Sequence, residues 1–141
     1  MATTRTATAH WEGTLKEGAG KVSLDSSKLG TYEVTWPARS ETPEGRTSPE
    51  ELIAAAHSTC YSMSLALALS QAGSVPERID TKAEVGFQPG KGITGVHLSV
   101  RASVPGISGD DFAKQAETAK ENCPVSQALT GTTITLDAQL L

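Results

Sequence analysis

One stretch of the chain, residues 48–73, has the periodicity of a long helix. It reads S-P-E-E-L-I-A-A-A-H-S-T-C-Y-S-M-S-L-A-L-A-L-S-Q-A-G. Ser48 can cap this helix, Pro49 suits a first turn, and Glu51 follows three residues after Ser48, which predicts a capping box. Gly73 is placed to end the helix, because glycine readily takes the left-handed conformation found there.

The apolar side chains of this helix recur at helical spacing, at Ile53, Ala56, Cys60, Met63 and Leu67. Residues 65–69 are apolar on every side of the helix, which predicts burial all round. The sheets of one chain can cover only part of such a helix. We therefore expect a homodimer, with two-fold symmetry, in which two of these helices pack together.

Alternation of apolar and polar residues predicts strands on both sides of the long helix. Three strands precede it, at residues 5–16, 21–25 and 32–36, and a polar loop at 37–47 leads into it. Two strands follow it as a hairpin, at residues 78–88 and 93–104, joined by a turn at 89–92.

A second helix is predicted to start at Ser108 and to bury a stripe that ends at Cys123. Pro124 cannot continue that helix without a kink, so a short helical turn at 125–129 and a last strand at 132–140 are expected. The order β-β-β-α-β-β-α-β groups strands and helices in runs. It predicts an α+β fold in a single domain, residues 1–141, with the long helix buried against sheets.

Composition narrows the classes of function. The net charge of −4 and the lack of any lysine or arginine run argue against a nucleic-acid partner. The N-terminal residues are rich in threonine and contain no apolar signal region, and no stretch is expected to span a membrane. A cytoplasmic protein is therefore expected. In that compartment its two cysteines are more often free thiols or a redox pair than a structural disulfide.

The two cysteines allow two interpretations each. Cys60 is either a small core residue or a reactive thiol, and a thiolate in so apolar a place needs a nearby cation. Cys123 lies on the core stripe of the second helix, and it can also cap the short helix after Pro124, where backbone N–H groups favour a thiolate. Both are expected to point into the core, where they could meet as a reversible disulfide.

Charged residues near the start of the long helix could supply the missing cation. Arg39 and Arg46 lie in the preceding loop, and Glu50 lies in the first turn, where compensation of the helix dipole would explain it by itself. His57 is read as a packed helix histidine before it is read as a base. A metal site from His57 and the cysteines is disfavoured, because no C-x-x-C or H-x-x-x-H spacing is present.

Four segments together resemble the OsmC/Ohr family, in its OsmC (osmotically inducible protein C) branch. They are A-H-W-E-G at 9–13, P-E-E-L-I-A-A-A-H-S-T-C at 49–60, C-P-V-S-Q-A-L at 123–129 and I-T-L-D at 134–137. The resemblance implies an intertwined α+β homodimer with two sites at the subunit interface. It also implies a thiol-dependent peroxidase whose substrate is an organic hydroperoxide.

The same resemblance implies a role for each site residue. Cys60 attacks the peroxide and becomes a sulfenic acid, and Cys123 resolves it as a disulfide. Arg39, fixed by Glu50, holds the thiolate, with Arg46 as the second choice because the loop varies in length within the family. An external dithiol restores both thiols, and no metal, haem or flavin cofactor is required. The alternatives are a thiol redox sensor and a non-catalytic binding or structural dimer with the same core.

Overall fold

Three short strands at the start of the chain form an antiparallel sheet in the order β1-β2-β3. In the computed structural model, which describes residues 1–141, they are Thr8–Glu12 (β1), Ala19–Ser23 (β2) and Thr31–Val34 (β3). The first strand is shorter than the predicted 5–16, because Gly13 takes a φ of 91° and turns the chain toward β2.

The expected polar loop at 37–47 contains a short helix, α1, Trp36–Ser40. The Thr35 hydroxyl caps it by accepting a hydrogen bond of 3.2 Å from the Ala38 N–H. The prediction of a loop was therefore wrong here. The T-W-P sequence carried the signal, since a threonine cap followed by Pro37 in the first turn is a common way to start a helix.

The long helix, α2, runs over Pro49–Gln71 and confirms the central prediction. The Ser48 hydroxyl accepts a hydrogen bond from the Glu51 N–H at 3.2 Å. The Glu51 carboxylate does not return the contact to Ser48, as a capping box requires, but accepts from the Thr47 hydroxyl at 2.6 Å. Gly73, with a φ of 87°, ends the helix as predicted.

A single chain buries only one face of α2. One stripe of the helix is fully buried and consists of His57, Tyr61, Leu65 and Leu69. The opposite stripe is open, since Met63 is 68% exposed and Leu67 is 59% exposed. The elements of one chain therefore cover only part of the helix, as expected, and burial all round stays a prediction for the homodimer.

The same helix meets the length and composition criteria of a membrane span, contrary to the expectation that no stretch would. An 18-residue window has a mean hydropathy of 1.4, and 22% of it is buried. Core helices of soluble proteins meet the same criteria, so this observation is weak evidence for a membrane.

A second sheet has the order β4-β5-β6 and consists of Arg78–Gln88 (β4), Gly92–Ser103 (β5) and Ile134–Leu140 (β6). The predicted hairpin is confirmed, since β4 and β5 pair antiparallel from Arg78 opposite Ser103 to Gln88 opposite Gly92. Strand β6 pairs with β5 in parallel. A parallel pair needs a crossover connection, and the following helices provide it.

The crossover consists of α3, Gly109–Asn122, and α4, Pro124–Ala128. Ser108 caps α3, as predicted, by accepting from the Asp111 N–H at 3.1 Å. The core comprises side chains of α2, of β5 with the residue after it, and of α3 with its C-cap: Tyr61, Leu65, Leu69, Val96, Leu98, Val100, Ala102, Val104, Phe112, Ala116, Ala119 and Cys123. The α+β class is confirmed. The chain forms two compact units, Met1–Leu52 and Ile53–Leu141, and the expectation of a single domain stays a prediction.

We expect Ser108→Ala to lower the free energy of unfolding by about 1 kcal/mol, because it removes the acceptor for a free N–H at the start of α3. Ser108→Asp should keep the stability of the parent, since aspartate caps equally well. Urea denaturation followed by circular dichroism measures both. Equal losses in the two variants would contradict the capping role.

Candidate active site

A bidentate ion pair within the first unit joins α1 to the first turn of α2. Arg39 lies in the last turn of α1 and Glu50 in the first turn of α2. The Arg39 Nε donates to Glu50 Oε1 at 2.9 Å, and its Nη2 donates to Oε2, also at 2.9 Å. Thr47 fixes the start of α2 by donating its N–H to the Glu33 carbonyl of β3 at 3.1 Å. The ion pair therefore links α1 to α2, and the start of α2 is in turn anchored to β3.

The environment of this pair makes it strong. Glu50 is only 6% exposed, so its carboxylate depends on the two guanidinium hydrogen bonds for its solvation. Arg39 also borders an apolar cavity of about 550 Å³, lined among others by Trp11, Val34, Trp36 and Leu52. Arg46, the second choice for this role, instead lies 3.8 Å from Glu33 in a more exposed pair.

The two cysteines of the second unit lie side by side as free thiols. Cys60 is half-buried in the middle of α2. Cys123 is fully buried at the junction where α3 ends and α4 begins. Their side chains are within hydrogen-bonding reach of each other, so the pairing that the sequence could only suggest is present in the fold.

The two thiols differ in acidity. Burial raises the pKa of Cys60, and the neighbouring Cys123 adds to that rise, although the backbone of Val125 and the Ser64 side chain oppose it. Burial by itself would also raise the pKa of Cys123. Hydrogen bonding from the Ser126 backbone, from Cys60 and from the Ser126 hydroxyl outweighs burial, so the pKa of Cys123 is lowered. When the two reduced thiols hold one proton between them, that proton is therefore on Cys60.

A buried histidine contacts the first turn of α4, which follows Cys123. His57 of α2 is fully buried, and its Nε2 lies 2.8 Å from the Ser126 hydroxyl of α4. Burial lowers the pKa of His57, which favours a neutral ring. Its Nδ1 has no hydrogen-bond partner. Within residues 1–141 no group of three or more His, Cys, Asp or Glu side chains is arranged to hold a metal ion.

Cys60 opens onto an apolar groove between α2 and α3. The groove has a volume of about 610 Å³ and is lined by side chains of both helices, including Met63, Leu67, Thr118, Ala119 and Pro124. Cys123 does not border it. A molecule in the groove would therefore meet the Cys60 sulfur first.

The four predicted site residues thus form two pairs, Arg39 with Glu50 and Cys60 with Cys123. Sequence reasoning did not assign a function to Ser126, which acts on Cys123 through both its backbone and its hydroxyl. The C-P-V-S segment could have indicated this role. Cys123 is at the cap position of the short helix, and the residue three positions after a cap is a usual hydrogen-bond partner of the capping side chain.

Two adjacent free thiols, one acidified and buried and the other open to an apolar groove, define a thiol redox protein. Comparison with known proteins narrows the class. A family model described as OsmC-like protein matches residues 42–137. The peroxiredoxin OsmC of Escherichia coli K12 is 45% identical over 135 residues, which are 94% of this chain and 93% of that protein.

Solved structures agree. An organic hydroperoxide resistance protein OsmC from Legionella pneumophila superposes with a TM-score of 0.72 at 22% identity, over 99% of this chain and 98% of that one. An organic hydroperoxide resistance protein from Elizabethkingia anophelis gives a TM-score of 0.65 at 26% identity, over the same shares of the two chains. The chain belongs to the OsmC-like family, as its motifs suggested.

We expect Arg39→Ala to destabilise the protein by about 3 kcal/mol, because it leaves the buried Glu50 carboxylate unpaired. Arg46→Ala is the matched control and should cost about 0.5 kcal/mol or less, since its ion pair is long and more exposed. Urea denaturation measures both values. Similar losses in the two variants would show that the Arg39 pair is not a structural anchor.

We also expect stability to fall as the pH drops below the ordinary histidine value of 6.5, because burial lowers the pKa of His57 in the folded chain only. The unfolded chain then binds a proton that the folded chain does not. His57→Gln should remove this part of the decrease, whereas the exposed His10→Gln should retain it. Urea midpoints measured from about pH 8 to about pH 5 report the difference. Parallel curves for the parent and His57→Gln would contradict the assignment.

Proposed function

We propose that this protein is a thiol-dependent peroxidase that reduces organic hydroperoxides to alcohols through Cys60 and Cys123. The observation that carries the proposal is the contact between two free thiols of unequal acidity. The names of the related proteins, a peroxiredoxin and organic hydroperoxide resistance proteins, support the same activity.

In the first step Cys60 attacks the hydroperoxide as a thiolate. Its sulfur bonds to the terminal oxygen of the substrate, the O–O bond breaks, and the alkoxide takes up a proton and leaves as the alcohol. Sulfur is oxidised by two electrons and becomes a sulfenic acid. Because burial keeps Cys60 protonated in one chain, the step needs a cation. Arg39, oriented by Glu50, supplies it in the assembled protein.

In the second step the Cys123 thiolate attacks the Cys60 sulfur. The S–S bond forms, the S–O bond breaks, and hydroxide leaves as water after taking up a proton. The lowered pKa of Cys123 suits this attack, since the thiolate is the nucleophile. An external dithiol then reduces the disulfide by thiol exchange. These steps require no metal, haem or flavin.

The groove beside Cys60 accounts for the preference in substrate. Met63, Leu67 and Ala68 give it apolar walls, which favour an alkyl chain over water. Alkyl hydroperoxides are therefore the proposed substrates in preference to hydrogen peroxide, which gains little from an apolar surface.

A homodimer completes the proposal. The open stripe of α2, with Met63 and Leu67, is an apolar surface that a second copy would bury, and Trp11 and Leu15 are also exposed. The proposed dimer is a soluble protein of the cytoplasm, with the apolar helix inside the assembly. A stable monomer at micromolar concentration in light scattering would refute this part.

We expect Cys60→Ser to abolish peroxide consumption, because no other side chain is proposed to attack the O–O bond. Cys123→Ser should permit one turnover and leave Cys60 as a sulfenic or over-oxidised acid, which mass spectrometry would detect. A thiol count before and after one equivalent of cumene hydroperoxide should fall from two to zero in the parent.

Three outcomes of the thiol count, the turnover assay and the variant assay would overturn the peroxidase proposal. Two intact thiols would leave a binding or structural protein. Oxidation of both without continued turnover in excess dithiol would leave a redox sensor. Full activity in Cys60→Ser would place the reaction elsewhere.

A further inference from the structure

The proposed peroxidase mechanism uses Cys60 and Cys123 but leaves one buried polar contact in the same unit without a role. His57 and Ser126 are 0% and 8% exposed, and they meet at 2.8 Å although 69 positions separate them in the chain. A buried contact between two neutral polar groups adds only modest net stability. Ser126 lies three residues after Cys123, in the first turn of α4, which suggests a different role for the contact.

The direction of the hydrogen bond follows from the unpartnered nitrogen. A neutral imidazole carries one N–H, on either Nδ1 or Nε2. If the hydrogen were on Nδ1, a buried donor would have no acceptor, and orphaned buried N–H groups are rare. The N–H is therefore on Nε2 and donates to the Ser126 oxygen. This arrangement leaves the Ser126 hydroxyl hydrogen free to donate elsewhere.

The free hydroxyl hydrogen has an acceptor close by. Ser126 lies three residues after Cys123 in the first turn of α4, and its side chain and backbone are both near enough to Cys123 to favour the charged form and lower its pKa. A directed chain of hydrogen bonds results, from His57 Nε2 to Ser126 Oγ and from Ser126 Oγ to the Cys123 sulfur. Since hydrogen bonds in such a chain polarise one another, each strengthens the next.

We propose that His57 and Ser126 are positioning residues for the resolving cysteine, which aim the Ser126 hydroxyl at the Cys123 sulfur and so set the rate of disulfide closure. The inference rests on the proposed function, because closure is the second step of that mechanism. Neither residue borders the groove beside Cys60, so the first step, attack on the peroxide, does not depend on them.

Other groups also affect the pKa of Cys123, and the substitutions at His57 and Ser126 leave them unchanged. These are Cys60 of α2 and the Val125 backbone of α4. Tyr61 of α2 is a further neighbour, and its pKa is raised by burial first and also by Glu117 and Cys123. From α3 the charge of Glu117 is paired with Lys120 at 2.8 Å. The facing side chains of β6 are apolar: Ile134, Leu136, Ala138 and Leu140.

A titration of Cys123 alone tests the proposal without peroxide. In a Cys60→Ser background, thiolate formation is followed by ultraviolet absorbance. Ser126→Ala and His57→Leu should each raise the pKa of Cys123 by about one unit, because a hydrogen bond to the charged form is lost. His57→Gln keeps an N–H donor near Nε2 and should restore the parent value. The matched control is Ser62→Ala, which removes a 2.7 Å side-chain hydrogen bond of the same helix to Thr81.

Rapid-mixing kinetics in the full chain then separate the two steps. Ser126→Ala should form the sulfenic acid at the parent rate, close the disulfide about tenfold more slowly, and accumulate more sulfinic acid at Cys60. Thermal melts select variants that fold. A Ser126→Ala titration curve that superimposes on the parent, or His57→Gln behaving like His57→Leu, would overturn the proposal. If the parent does not consume peroxide while the titration shift is present, only the proposed function fails.

Discussion

The proposed chemistry depends on two sulfur atoms that lie close enough to share a proton. The long helix fixes one of them, Cys60, in its middle. The other, Cys123, lies where Pro124 interrupts the crossover between two parallel strands. Because β6 must return alongside β5, the crossover has to pack on the sheet, and the interruption is held against α2. The contact of the thiols is thus a product of topology rather than of local sequence.

Charge is distributed unequally between the two units. The first unit contains a guanidinium held by a buried carboxylate, and the second contains thiols and an uncharged histidine. An anion formed at Cys60 is opposed by its apolar surroundings, whereas one at Cys123 is supported by backbone and hydroxyl donors. In the proposed mechanism the attacking and the resolving sulfur therefore need different stabilisation. Local hydrogen bonds favour the anion at Cys123, whereas for Cys60 the proposed cation is the arginine that Glu50 holds.

Sequence patterns predicted most of the fold because its elements are long and periodic. The helix caps at Ser48 and Ser108, the hairpin and the α+β class follow from spacing and turn residues. Full burial around Met63 and Leu67 was expected only in a homodimer and stays a prediction, because hydrophobicity indicates which side chains favour burial but not which element covers them. The parallel pairing of β6 and the His57–Ser126 contact join distant positions, which local spacing does not reveal. The roles of Arg39, Glu50 and the cysteines came from motif resemblance and stay proposals.

The position of Cys123 at the start of α4 also decides how a disulfide between the two sulfurs would be reopened. In thiol exchange the incoming sulfur bonds to one partner, and the more acidic partner departs more readily. Cys123 is both the more acidic and the fully enclosed sulfur, whereas Cys60 borders the groove. In the proposed mechanism a reducing thiol would therefore form its transient mixed disulfide with Cys60 and release Cys123 as the leaving group. Oxidant and reductant would then reach Cys60 through the same groove, so that only one of them could occupy it at a time.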